Sequence, residues 1–100
     1  MKDYKTFDDL VFEPHAIGSG THAILEFSNG YAVSVICGEI FYSNGIDTYE
    51  IACLKDGYCF YPNGTSFEDD VCGYRTKDEI TELMKEIQDL PSLKGDNYSN

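Results

Sequence analysis

Phe27-Ser28-Asn29-Gly30-Tyr31-Ala32-Val33-Ser34-Val35-Ile36 places an Asn-Gly turn signal directly ahead of a run of β-branched and small residues. Asn-Gly suits a two-residue type I′ turn, because both central residues of that turn need positive φ. The same logic applies at Asn44-Gly45 and Asp56-Gly57. Between these turns lie strand-like runs over residues 22–27, 31–37, 39–42, 48–54 and 58–61, rich in the β-branched and aromatic side chains that a pleated surface accommodates. Strands joined in succession by tight turns make an antiparallel meander. If Asn29-Gly30 is a two-residue loop, Phe27 faces Ala32, Leu25 faces Ser34 and Ala23 faces Ile36. If Asp56-Gly57 is one, Leu54 faces Cys59 and Ala52 faces Tyr61. Both faces of the resulting sheet carry apolar residues, which leaves open a sheet covered on both sides or curled.

Working outward, Leu10-Val11-Phe12 reads as an edge strand ending at Pro14, which has no N–H for a ladder. Gly18-Ser19-Gly20 reads as a loop, and residues 63–75 as a second irregular stretch carrying Glu68-Asp69-Asp70. The C-terminal helix is clearly marked. Thr76 is a good N-cap, and Glu79 three residues on completes a capping box. Ile80, Leu83, Met84, Ile87 and Leu90 then recur at helical spacing as one apolar stripe, which Pro91 ends. The expected class is α+β: an antiparallel meander of five to six strands with one C-terminal amphipathic helix packed on it. One domain over residues 1–91 accounts for the pattern, followed by a polar, flexible tail over 92–100.

Composition agrees with a folded chain. Of 100 residues, 42% are hydrophobic and 14% aromatic, too apolar for disorder, so a packed core is expected. No uncharged run exceeds twelve residues, as at 27–38, and the run from 57 contains Pro and Gly, so none is long enough to cross a bilayer. The first nine residues lack the apolar stretch of a signal peptide, so a cytosolic setting is expected. There the sequons at Asn63 and Asn97 would meet no glycosylation machinery. Cys37, Cys53, Cys59 and Cys72 contain no C-x-x-C pair, and in a reducing compartment they read as core thiols rather than zinc ligands or disulfides.

Charge is the dominant global feature. Eighteen acids against seven bases give −11. Such a chain repels DNA, RNA and anionic membranes, and is drawn instead to basic surfaces. On the helix, Glu79, Glu82, Glu86 and Asp89 recur at neighbour spacings of about 5–6 Å along one flank of the apolar stripe. With Glu68, Asp69 and Asp70 upstream, residues 68–89 hold eight acids and three bases. One reading is a row of carboxylates that imitates phosphates or docks on an Arg/Lys groove. The other is a solvated helix face whose early acids, Asp78 and Glu79, suit the helix dipole. The acids lack the alternating spacing of a calcium loop.

No catalytic pattern is present. His15 and His22 have no nucleophile context, Ser34 sits between valines, and Gly18-Ser19-Gly20 lacks the Lys and helix of a phosphate loop. Catalytic, cofactor-binding and metal-binding residues are therefore not assigned, and no cofactor is expected. Tyrosines serve strand packing and, near the turns, contact surfaces, so Tyr42 and Tyr58 join the acids as partner-binding candidates.

Residues 27–36, then Tyr49-Glu50-Ile51-Ala52-Cys53-Leu54-Lys55-Asp56-Gly57 and Asp69-Asp70-Val71-Cys72-Gly73-Tyr74-Arg75-Thr76, resemble small proteins of tailed bacteriophages over about residues 7–90. Ala32 and Cys72 stand where smaller residues such as Gly are expected. The shared motifs are turns and strands; they imply a common fold and bring no activity or functional residue. The resemblance implies a product of the host cytoplasm and an inhibitor of host proteins, including CRISPR-type and other anti-phage systems. The expected function is a non-enzymatic inhibitor that binds a basic surface of a host defence or nucleic-acid-handling protein, with no direct contact to nucleic acid or membrane. The alternatives are an oligomeric structural or accessory virion protein, and a protein that sequesters a small ligand; monomer and homo-oligomer stay open.

Overall fold

Strands β2 (Thr21–Glu26) and β3 (Tyr31–Cys37) form the central hairpin, with Ala23 opposite Val35 and Leu25 opposite Val33. This register is one residue away from that of a two-residue Asn-Gly turn. The loop is Ser28-Asn29-Gly30, closed by the Phe27 N–H on the Tyr31 carbonyl (2.8 Å) and the Gly30 N–H on the Phe27 carbonyl (3.1 Å). Gly30 takes φ +96°, while Asn29 stays at negative φ. Because side chains alternate, the slip decides which set is buried. Ala23, Phe27, Tyr31, Val33 and Val35 go to the core, with Leu25 packed against them. Ile24, Glu26, Ala32, Ser34 and Ile36 take the other face. The structure, a computed structural model, describes residues 3–14, 20–38 and 43–93.

β3 pairs directly with β4 (Tyr49–Lys55), Val33 opposite Cys53 and Val35 opposite Ile51. The strand expected over 39–42 lies outside the described residues. Asn44-Gly45 is not a hairpin turn either. The Asn44 Oδ1 accepts from the N–H groups of Ile46, Asp47 and Thr48 at 2.9–3.0 Å, so its side chain organises a wider loop in which Gly45, not Asn44, has positive φ. Asp56-Gly57 does follow the two-residue pattern, with φ +55° and +84°. It sets Leu54 opposite Cys59 on β5 (Tyr58–Cys59), and the Phe60 N–H still reaches the Cys53 carbonyl at 2.9 Å. The strand ends at Cys59 instead of continuing to Tyr61.

At one edge, β1 (Glu13–Pro14) pairs with His22 and Thr21. The strand expected at Leu10-Val11-Phe12 is absent. A single 3-10 turn over Phe7–Asp9 brings the chain inward, Leu10 is buried, and Phe12 lies 5.6 Å from Phe7 and 5.8 Å from Tyr49 between ring centroids. At the other edge, β6 (Val71–Arg75) takes up the part of β4 that β5 leaves, with Ile51 opposite Cys72 and Ala52 opposite Val71. This corrects the irregular reading of residues 71–75. Two residues, Gly73 and Tyr74, oppose Glu50 alone in a β-bulge, and Tyr74 adopts φ +56° there. The sheet order is β1-β2-β3-β4-β5, with β6 also on β4.

Helix α1 (Lys77–Gln88) begins as the sequence predicts. The Thr76 N–H donates to Glu79 Oε1 (2.8 Å), and the Glu79 N–H donates to Thr76 Oγ1 (3.3 Å). Ile80, Leu83, Met84 and Ile87 are buried against β3, β4 and β6, each worth about 1.5–3 kcal/mol of transfer free energy. The result is an α+β fold with one helix on one face of a six-stranded antiparallel sheet. The helix ends on the central hairpin: Asn29 Nδ2 donates to the Ile87 carbonyl (2.8 Å), with the Gln88 and Leu90 carbonyls at 3.4 and 3.3 Å. The chain past Pro91 is still docked, since the Leu93 N–H donates to the Asn29 carbonyl (2.7 Å) and its side chain packs on the core. Residues 94–100 of the expected tail lie outside the described residues. No described helix is long and apolar enough to cross a membrane.

Candidate functional site

Two segments flank α1. On one side the N-terminal strap is held by Gln88, whose Oε1 accepts from the Lys5 N–H and whose Nε2 donates to the Lys5 carbonyl, both at 2.9 Å. The Phe7 N–H donates to Thr81 Oγ1 (3.1 Å), and Lys77 and Lys85 lie over the rings of Phe7 and Tyr4. On the other side, the loop after β5 is pinned where the Ser66 N–H donates to Glu86 Oε1 (2.7 Å) and Phe67 enters the core. Between this loop, the end of β6 and the helix runs a groove of about 320 Å³ lined by Asp78, Glu79, Glu82, Glu86, Leu83, Ser66 and Arg75.

Four carboxylates thus face one guanidinium. Arg75 Nη2 donates to Glu68 Oε1 at 3.2 Å, an exposed pair that already engages one of its donors. Burial alone would weaken the Arg75 charge, but hydrogen bonds and attraction from Cys72 and Glu68 more than offset it and raise its pKa. The Glu79 carboxyl is held below its ordinary value, first by the Thr76 backbone N–H, then by the Thr76 side chain and the nearby Arg75. Glu82 lies 3.5 Å from Lys85, a contact worth little at an exposed site.

The candidate acids divide. Glu79, Glu82 and Glu86 share the groove, joined by Asp78. Asp89 lies outside it and accepts from the Tyr4 hydroxyl at 2.6 Å. Glu68 serves Arg75, and Asp69 Oδ1 accepts locally from the Asp70 N–H (2.8 Å); none of the three acids at 68–70 lines the groove. Tyr58 is exposed at the β4–β5 tip and does not line it either, and Tyr42 lies outside the described residues. Sequence reasoning missed the far wall of the groove, Ser66 and Arg75. The Ser66–Glu86 bond spans twenty residues and carries no sequence mark, whereas Asp78 was visible one turn before Glu82.

Such a groove can bind cations or a basic surface. Among the described residues, no cluster of three or more His, Cys, Asp or Glu converges on a point that could hold a metal. His22 is on β2, away from the groove, and His15 is outside the described residues. All four cysteines are free, and burial, followed by the influence of Cys59, pushes the Cys53 thiol up to about 11. A thiol so far from ionisation is a core group, not a nucleophile.

No family model matches the chain, and neither a curated protein nor a solved structure shows significant similarity to it.

Proposed function

We propose that this chain is a phage-encoded, non-enzymatic inhibitor that acts in the host cytoplasm by docking its acidic helix flank on a basic surface of a host defence or nucleic-acid-handling protein. The observation that carries the reading is the groove beside α1, where four carboxylates meet one guanidinium already paired with Glu68. An Arg/Lys-rich surface would supply the missing countercharge and gain charge-assisted hydrogen bonds that water-exposed carboxylates otherwise give to solvent. The net charge of −11 adds long-range attraction to such a partner and repulsion from nucleic acid. The phage origin and host partner rest on the resemblance of the turn and strand motifs.

Asp78 and Glu82 are the residues to reverse. Glu79 caps the helix, Glu86 pins Ser66 and Asp89 holds Tyr4, so changing those three would disturb the fold as well as the surface. Affinity capture from a bacterial lysate at low salt should retain a partner that elutes as salt rises. The double variant Asp78→Lys, Glu82→Lys should slow its association about tenfold or more. Capture that ignores both salt and the double variant sinks the reading.

A further inference from the structure

The sheet face turned away from α1 is uncovered at its hairpin end among the described residues. Register puts Ile24, Glu26, Ala32 and Leu54 on this face, and there they border a concavity of about 410 Å³ whose wall also includes Asp56, Gly30 and Gly57. Ile24, third from the end of β2, is 59% exposed. A Cβ at Gly57 would meet no atom within 4 Å, so the space beside the turn is open.

Charge identifies what fits. Glu26 and Asp56 flank the aliphatic patch, and among the described residues no lysine or arginine lines it. Four of the described cations are engaged on the helix side: Lys55 lies over Phe60, Lys77 over Phe7, Lys85 over Tyr4, and Arg75 is on Glu68. This end of the sheet is therefore apolar in the middle and negative at both sides. A second copy of the chain is a poor occupant, since a two-fold contact would set Glu26 and Asp56 against their own equivalents in molecules of charge −11. Nucleic acid is excluded by the same sign.

We infer that this face is a second docking surface, and that its occupant is an extended protein segment in which an aliphatic side chain is flanked by lysine or arginine. The aliphatic group seats on Ile24, Ala32 and Leu54, and the cations reach Glu26 and Asp56. The surface lies on the opposite side of the sheet from the groove beside α1, so the inference stands or falls separately from the proposed function.

The test titrates the full chain with the peptide Lys-Ser-Leu-Ser-Lys, whose Leu and two Lys share one face when extended, followed by backbone amide shifts, with Glu-Ser-Leu-Ser-Glu and Lys-Ser-Ser-Ser-Lys as controls. The Lys-Leu peptide is expected to move Ile24, Glu26, Ala32 and Leu54, and to bind about tenfold more weakly to Ile24→Ser and to Glu26→Gln, Asp56→Asn. The Glu-Leu control should not bind, and the control without Leu should bind no better than the variants. Shifts confined to the α1 flank, equal binding of the control without Leu, or no binding overturns the inference. So does a dimer in light scattering that the Ile24 change dissolves. A marked loss of thermal stability in isolated Ile24→Ser also overturns it, because the face is then filled by the chain itself.

Discussion

Asn29-Gly30 and Asp56-Gly57 carry the same turn chemistry, yet only the second makes the two-residue turn. At Asp56-Gly57 a Cβ on Gly57 would meet no atom within 4 Å, and local preference decides: both residues adopt positive φ and the register follows. At Asn29-Gly30 the helix intervenes. The Asn29 side chain is nearly buried, its amide closing carbonyls at the end of α1 and its Oδ1 accepting from the Tyr31 N–H (3.2 Å). Those bonds hold Asn29 at negative φ and lengthen the loop by one residue. A long-range bond to an otherwise unsatisfied helix terminus outweighs a turn preference, because a buried carbonyl left without a partner costs about 1–3 kcal/mol.

Exchanging acid and amide at the two sites breaks the comparison most sharply. Asp and Asn serve a type I′ turn almost equally. Asp56→Asn should therefore change stability by less than about 0.5 kcal/mol. Asn29→Asp removes the donor and sets a carboxylate against helix C-terminal carbonyls, so a loss of about 3 kcal/mol or more is expected. Urea denaturation measures both. The Asn29→Asp deficit should shrink at acid pH, where the protonated carboxyl regains an O–H. Equal effects at the two positions would mean that the helix contact does not decide the turn.

The paired glycines give the next largest difference. Alanine at Gly57 pays only for the left-handed backbone, about 1–2 kcal/mol, since its Cβ enters open space. Alanine at Gly30 carries the same strain and brings its Cβ to 2.9 Å from the Leu93 Cβ, so the segment past Pro91 must shift. A loss of about 2–3 kcal/mol is expected there. Removing the neighbour with Leu93→Gly should narrow the gap between the two alanine variants.

This contrast also explains what was legible in the sequence. The start of α1, its apolar stripe and the Asp56-Gly57 turn are specified by residues at most a few positions apart, and each is where the pattern places it. The Asn29 contact joins residues 58 apart, and the strap bonds from Lys5 to Gln88 join residues 83 apart. No local pattern encodes either. β6 was hidden for another reason: the bulge at Gly73-Tyr74 breaks the alternation that marks a strand, and Tyr74 takes a conformation rare for its side chain. In the candidate site, helical spacing revealed the row of Glu79, Glu82 and Glu86. Only the fold could bring Ser66 and Arg75 across from it and send Asp89 to Tyr4.

The two ends of α1 repeat the comparison and yield the smallest effect, one of pH. The start is closed locally by an ionised Glu79, the end by the neutral amide of Asn29. The folded-state pKa of Glu79 is lowered from 4.5, so its contribution is present above that value and is lost as pH falls through the lower, folded value. The stability difference between the wild type and Glu79→Gln should be small near pH 6 and vanish as the pH falls through the lowered, folded-state value. The difference between the wild type and Asn29→Ala should stay flat over the same range, because neither the amide nor the carbonyls it serves titrate. A flat Glu79 difference would show that the cap acts through its hydrogen bond alone, with the carboxylate charge adding nothing at the helix start.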